Sequence, residues 1–439
     1  ALALSMQPFA RAHWDVEPIL AERLDPGRGE KLENTSPADF DDRIGTIRDA
    51  TGMEVDQAIA IAVAHAETWD KTPAGKRAAM LEHSADLIED NFRELKALCV
   101  REAGKTAHDA VSEIREAVDF LRYYAIQARE YFSAPQDLPG PTGEHNELSL
   151  HGKGVFACIS PWNFPLAIFT GQVSAALAAG NAVLAKPAEQ TAAIASFAVK
   201  LMHEAGIPRQ ALQFLPGVGS VVGERLSKDP RIDGVAFTGS TDTARRINRN
   251  LAARDAPLAT LIAETGGQNA MLVDSSALPE QVVQDVIRSA FHSAGQRCSA
   301  LRVLFLQNDV AERVMNLLAG AMQELVVGDP RFLQTDVGPV IDEAALANLQ
   351  AHIDRMEKEC RLIGRAPLSP DLNGHYLAPC AFEIDSIGRL EREVFGPVLH
   401  VVRYGSGDLD RVIDDINSTN YGLTLGIHSR IDRTQRYIS

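Results

Sequence analysis

The chain has 439 residues, 45% hydrophobic and 23% charged, a globular balance on a length that predicts two or three domains rather than one core. A net charge of −16 argues against nucleic acid or anionic membrane as partners. No apolar run approaches the roughly 20 residues of a membrane helix. The start "ALALSMQPFARAHW" lacks the pattern of a secretory signal and, without an initiator Met, reads as an excerpt of a longer chain.

In chain order, residues 54–132 read as helical. "VDQAIAIAVAHAETW" has apolar residues at helical spacing, Pro73 suits the first turn of a second helix running to about Glu102, and "TAHDAVSEIREAVDFLRYYAIQAREYF" is a third. The aromatics of the third are expected to pack in a core. Prolines and glycines break the pattern over 133–152, and "ELSLHG" alternates like a strand. That strand fits either pairing with another chain or a plain surface hairpin. From 153 short apolar runs alternate with helical stretches: "GVFACIS", "AVLAKP", "ALQFLP" and "GVAFTG" are near-continuously apolar, as strands covered on both faces are. The expected fold is a doubly wound α/β domain that binds ligands beyond the strands' C-terminal ends. A second α/β series is expected from near 258, with "TLIAE", "AMLV", "LRVLFL" and "VLHVVRY" as strands and helices at 279–295, 309–326 and 342–358. A domain boundary is placed near Glu264.

The strand ends carry the unusual residues. "PWNFP" sets Asn163 between Pro161 and Pro165, which stiffen the turn; an ordinary turn asparagine reads equally well. "KPAEQT" brings Lys186 and Glu189 to a strand edge, as a solvated pair or as a ribose site whose acid accepts both hydroxyls and repels a 2′-phosphate. "GVGSVVG", with Gly217, Gly219 and Gly223, is a weak dinucleotide signal. In "FTGS", Gly239 permits an unusual backbone angle, and Ser240 caps a helix, holds a phosphate, or both. "ETGGQNA" ends a strand on Glu264, a surface acid or a general base, beside glycines that admit close neighbours. "EREVFGPV" carries Glu393 and Phe395 on a stiff loop. In "HSAGQRCSA", Cys298 is either a packed small hydrophobe or a nucleophile. Arg297 beside it either lowers the thiol pKa or points away. Five cysteines, at 99, 158, 298, 360 and 380, show no metal spacing and no disulfide framework, which suits a reducing compartment.

In this order, "PWNFP", "KPAEQT", "FTGS", "ETGGQNA", "GQRCS" and "EVFGPV" resemble the NAD(P)-dependent aldehyde dehydrogenase superfamily from about residue 40 to the end. Longer stretches, including "LIAETGGQNAMLVDSSALPEQVVQDVIRSAFHSAGQRCSALRVL", resemble its L-glutamate γ-semialdehyde dehydrogenases, specifically the module that follows a flavin-dependent proline dehydrogenase in bifunctional bacterial enzymes. The resemblance implies that Cys298 is the nucleophile, Glu264 the base that activates water, and Asn163 an oxyanion donor, with Lys186 in the same catalytic set. It implies NAD held by Ile159, Ser160, Pro161, Trp162, Lys186, Ala188, Glu189, Gly219, Gly223, Phe237, Thr238, Gly239, Ser240, Glu393 and Phe395, and substrate contacts from Ser299 and Phe164. It implies no metal, a cytoplasmic homo-oligomer and a small aldehyde substrate. The expected division is a helical part of the NAD-binding domain over 1–141, an oligomerisation strand or linker over 142–152, a Rossmann-type core over 153–263 and a thiol domain over 264–439. The superfamily usually continues with an aldehyde-gripping loop and an oligomerisation strand; this sequence stops at "IDRTQRYIS", so that loop is not read here. Another semialdehyde dehydrogenase, a non-catalytic protein on this fold and a cysteine-dependent thioesterase or esterase are the alternatives.

Overall fold

The structure, a computed structural model, describes residues 4–22 and 31–439; the first three positions and 23–30 of the expected N-terminal segment lie outside the described residues. Two compact units emerge: 1–35, 41–103 and 110–265 in the first, and 36–40, 104–109 and 266–439 in the second.

After a short 3-10 helix at Leu4–Phe9 come two strands that the sequence did not suggest. β1 (Lys31–Ser36) and β2 (Asp39–Arg48) form a two-stranded sheet. α1 (Gly52–Asp70) starts at a capping box in which Thr51 Oγ1 accepts from the Glu54 amide and Glu54 accepts from the Thr51 amide. The expected second helix is two, α2 (Ala74–Asp90) and α3 (Phe92–Ala103), broken at Asn91, whose side chain donates back to Leu87 O at 2.8 Å. Such local side-chain bonding competes with the helical ladder. α4 (Ala107–Phe132) follows. β3 (Gln136–Leu138) and β4 (Asn146–Leu148) then pair antiparallel as a surface hairpin. Its exposed Asp137, His145 and Glu147 bring ligand atoms within 4.8 Å of one another.

Next come β5 (Val155–Ile159), α5 (Ala167–Ala178), β6 (Ala182–Lys186), α6 (Ala192–Glu204), β7 (Leu212–Phe214), α7 (Glu224–Lys228), β8 (Gly234–Thr238), α8 (Thr241–Ala252) and β9 (Thr260–Glu264). Among the described residues they build a parallel five-stranded sheet in the order β7-β6-β5-β8-β9. The strands alternate faces. Phe156, Cys158, Val183 and Ala185 pack toward α5 and α6, while Val155, Ala157, Ile159 and Leu184 pack toward Val55, Ala58 and Ile59 of α1. Hence both faces are buried and the runs read as continuously apolar. One expectation fails here: "TLIAE" does not open the second series but pairs with β8 as the edge of the first sheet.

The second unit holds β10 (Ala270–Val273), α9 (Pro279–Phe291), β11 (Val303–Gln307), α10 (Asn308–Gln323), α11 (Glu343–Glu359), β12 (Arg361–Arg365), β13 (Cys380–Glu383), β14 (Val398–Tyr404), α12 (Leu409–Asn417), β15 (Leu425–His428) and α13 (Asp432–Ile438). Its sheet runs β12-β13-β14-β11-β10-β15, with β12 antiparallel. The expected helix over 279–295 stops at Phe291, because Ser293 and Ala294 turn left-handed at φ 53°. Among the described residues, no helix is long and apolar enough to cross a membrane.

Candidate active site

In the first unit the sheet register gathers the expected residues along one edge. Lys186 lies opposite Ile159 and Ile159 opposite Phe237, while Glu264 lies opposite Thr238. Ser160 follows β5, its hydroxyl donating to Gln172 Oε1 at 2.9 Å, and Gln172 Nε2 donates to Thr238 Oγ1 at 2.9 Å. Gln172 thus ties two strand ends together. The sequence hid it inside an apolar helix.

Beyond that edge is a cavity of about 450 Å³ lined by Ile159, Lys186, Glu189, Gly219 and Gly223, and also by Arg246 of α8. Lys186 is buried; its Nζ donates to Pro187 O at 2.9 Å and stands 4.0 Å from Glu189. Burial holds its ammonium below the usual range, against the pull of Glu189 and Asp49. Glu189 is exposed, and its Oε1 accepts from the Gly219 amide at 2.6 Å. That bond aims the carboxylate. Ala188 is half-buried beside it. Ser240 caps α8, accepting from the Thr243 amide at 3.2 Å, so the capping reading holds. Gly239 is corrected: its φ is not left-handed, and the glycine serves space instead, since a Cβ would sit 2.7 Å from the Phe237 ring.

Pro161 is buried and Trp162, Asn163 and Phe164 are half-buried. The chain after them is anchored by Glu113 of α4, whose Oε1 accepts from the Leu166 and Ala167 amides at 2.9 Å each. Sequence offered no sign of this anchor, which acts across 53 positions. Glu264 is exposed at the end of β9.

In the second unit, Cys298 is half-buried and Ser299 exposed. Burial pushes the Cys298 thiol up, and the nearby Glu393 charge adds to this, while the Ser299 amide opposes it. Arg297 does not serve the thiol: its guanidinium pairs with Asp109 and donates to Ser293 Oγ at 3.0 Å. The cation near the site is Arg302, 1% exposed, which holds Glu393 Oε1 at 3.0 Å and lies 5.1 Å from the centre of the Phe395 ring. Burial raises the Glu393 carboxyl, with Arg302 opposing. Gly266 leaves the room: a Cβ there would be 1.7 Å from Glu393 Oε2. A larger cavity of about 800 Å³ in this unit is lined by Arg297 but not Cys298.

Within the first unit, then, the structure brings a cavity and its acid together at one sheet edge; within the second it joins a thiol loop to an acid-bearing loop. The aldehyde dehydrogenase family model matches residues 25–439. The chain belongs to the aldehyde dehydrogenase family. It is 50% identical over 444 residues to the bifunctional protein PutA of Salmonella typhimurium strain LT2, covering 99% of this chain and 32% of that protein. It is 35% identical to a 1-pyrroline-5-carboxylate dehydrogenase of Geobacillus sp. strain WCH70, covering 91% and 78%. The solved 1-pyrroline-5-carboxylate dehydrogenase of Thermus thermophilus superposes with a TM-score of 0.90 at 33% identity, covering 99% and 84%. The chain spans about a third of the curated PutA relatives it matches. Family membership implies a nicotinamide dinucleotide as cofactor, and the cavity that presents Glu189 beyond the sheet edge fits the ribose of such a group.

Proposed function

We propose that this chain oxidises L-glutamate γ-semialdehyde to L-glutamate with NAD, the second step of proline catabolism. The observation that carries the substrate is the match, over 91% of this chain, to an enzyme named for 1-pyrroline-5-carboxylate, the cyclised form of that semialdehyde. The cofactor choice rests on Glu189: a carboxylate aimed by a backbone amide accepts ribose hydroxyls and repels a 2′-phosphate. The residues assigned to its binding are Ile159, Ser160, Pro161, Trp162, Lys186, Ala188, Gly219, Gly223, Phe237, Thr238, Gly239, Ser240, Glu393 and Phe395. Bound there, NAD supplies the acceptor for a hydride.

The Cys298 thiolate adds to the aldehyde carbon and forms a C–S bond. The Asn163 amide and the Cys298 backbone N–H hold the resulting oxyanion. Lys186 steadies the cofactor side of this set, and Ser299 and Phe164 contact the substrate. When the C–H electron pair leaves, the oxyanion collapses to a thioester on Cys298. Glu264 then takes a proton from water; the hydroxide attacks the thioester, and the C–S bond breaks to release L-glutamate and the thiolate. PutA relatives are named bifunctional, which supports a flavin-dependent proline dehydrogenase as fused or partner activity. A cytoplasmic homo-oligomer is part of the same reading.

Steady-state kinetics of the full chain test it. We expect NAD reduction with L-glutamate γ-semialdehyde, and kcat/KM at least about tenfold lower with glutarate semialdehyde, which keeps the carbon skeleton but lacks the amino group. Equal use of both aldehydes would overturn the substrate; NADP serving as well as NAD would overturn the role of Glu189.

A further inference from the structure

Arg302 has every one of its five N–H groups engaged. Nη1 donates to Gly295 O at 2.7 Å and Gly396 O at 3.3 Å. Nη2 donates to Arg297 O at 2.9 Å and Glu393 Oε1 at 3.0 Å. Nε donates to Glu393 Oε1 at 3.3 Å. A guanidinium offers no further donor. Its three carbonyl partners lie on two loops that sequence separates by about a hundred positions, the loop leading to Cys298 and the loop carrying Glu393 and Phe395.

The thiol loop does not hold its shape unaided. Ser293, Ala294 and Gly295 have φ of 53°, 53° and 64° in succession. The left-handed region costs a non-glycine residue roughly 1–2 kcal/mol. At Gly295 a Cβ would lie 2.2 Å from Gly396 O, so the two loops touch backbone to backbone. Arg302 caps that contact from the buried side.

One of its bonds has a stereochemical consequence. The peptide joining Arg297 to Cys298 is planar and trans, so its C=O and N–H point in opposite directions. With Arg297 O drawn to Arg302 Nη2, the Cys298 N–H faces away from the guanidinium. The next peptide is fixed as well: Asn269 Nδ2 donates to Cys298 O at 2.6 Å and to Ala300 O at 2.9 Å. Arg302 is itself anchored through its main chain, which donates to Asn269 O and accepts from the His400 amide, both at 3.0 Å.

We infer that Arg302 is a positioning residue that orients the Cys298 N–H as oxyanion donor while fixing the Glu393 carboxylate on the neighbouring loop. The inference rests on the Cys298 reading proposed above. Arg302 touches no reacting atom. It acts through one peptide plane and one carboxylate. Lysine at this position keeps the charge that Glu393 needs but has no planar fork and fewer donors, so geometry and charge separate.

The test uses Arg302→Lys in the full chain and two reactions of the same sulfur. Alkylation by iodoacetamide displaces iodide and develops no oxyanion. Addition to L-glutamate γ-semialdehyde does. We expect alkylation of Cys298 to stay within about threefold of the parent, and single-turnover NADH formation at saturating NAD to fall about 10²-fold, the usual loss for one oxyanion donor. Parallel loss of both, or loss of neither, would overturn the positioning role. If Arg302→Lys does not fold, Arg302→Met combined with Glu393→Gln removes the buried charge pair together. Its single-turnover rate should lie at least about tenfold below that of Glu393→Gln alone, with alkylation preserved. If neither variant folds, Arg302 is a folding residue and the inference falls. Failure of the underlying reading looks different: Cys298→Ala would then still produce NADH.

Discussion

Cys298 and Glu264 carry different halves of the proposed reaction, so their losses differ in kind. Cys298→Ala removes the C–S bond-forming group and should abolish NADH formation altogether. Glu264→Gln keeps the shape of the side chain but cannot take a proton, so hydride transfer survives and deacylation fails. Rapid mixing should show a burst approaching one NADH per site, then a stall, with an acyl adduct on Cys298 by mass spectrometry. Normal steady-state turnover would remove the base role; absence of a burst would place Glu264 before the hydride step. The exposure of Glu264 at the end of β9 suits a group that must reach solvent for its water. At this scale the sequence singled out Cys298 and Glu264 through the motifs around them, while the Cys298 string alone left packing and chemistry open. It was least legible where a common residue acts through burial. Arg302 sits three residues after Ser299 in plain view, yet nothing in "ALRVL" distinguishes a guanidinium with five partners from a surface one.

Elements place these side chains through bonds that cross long stretches of chain. α5 begins just past "PWNFP", and its first amides are satisfied by Glu113, a buried carboxylate of α4. Glu113→Ala leaves two buried N–H groups without that acceptor and should destabilise the chain by about 1–3 kcal/mol. Glu113→Gln retains an acceptor oxygen and should fall between the two. Thermal melts of the three proteins check this order; a melt of Glu113→Ala matching the parent would show that other groups anchor α5. The strands of the first sheet were readable because both faces are covered, which makes "VFACI" and "AVLAK" apolar throughout. β12, β13 and β15 escaped notice. β12 is an antiparallel edge strand with polar ends, "RLIGR", and β15 is a four-residue edge strand containing a glycine, so neither carries a buried-strand pattern. "TLIAE" misled for the opposite reason. Its composition is strand-like, but only pairing, not composition, decides which sheet a strand joins.

For the molecule as a whole, acid sensitivity follows from a histidine pair in which His352 of α11 meets His400 of β14. His352 and His400 approach at 2.9 Å between their Nε2 atoms, and His400 Nδ1 faces Arg302 O at 3.2 Å. A carbonyl only accepts, so Nδ1 of His400 carries the proton and its Nε2 accepts from His352. Burial pushes His400 down to about 3 and His352 to about 4. The unfolded chain therefore binds protons that the native chain refuses: the contribution is present above an ordinary histidine pKa and is lost as pH falls from there toward 3. The fully buried His400 alone implies a loss of about 1.4 kcal/mol per pH unit below roughly 6.5. Glu102 has the opposite sign. Burial raises it to about 7, so its contribution is full at low pH and is lost as pH rises through 7. The two windows overlap, and comparison with His400→Gln at each pH isolates the histidine. Denaturant unfolding between pH 7.5 and 5.5 should fall more steeply for the parent; equal slopes would mean His400 titrates normally. The division into units has a consequence in time. Tyr376 donates its hydroxyl to Ala38 O across 338 positions, and Ala38 lies in the core of the second unit. At a translation speed of about 5–20 residues per second, Ala38 leaves the ribosome roughly 20–70 s before its partner exists. Throughout that interval a growing chain carries one fragment of an unfinished core, tethered to a first unit whose own sheet ends at Glu264 and is synthesised earlier. A nascent-chain chaperone would meet a long-lived exposed segment at residues 36–40, far behind the growing end.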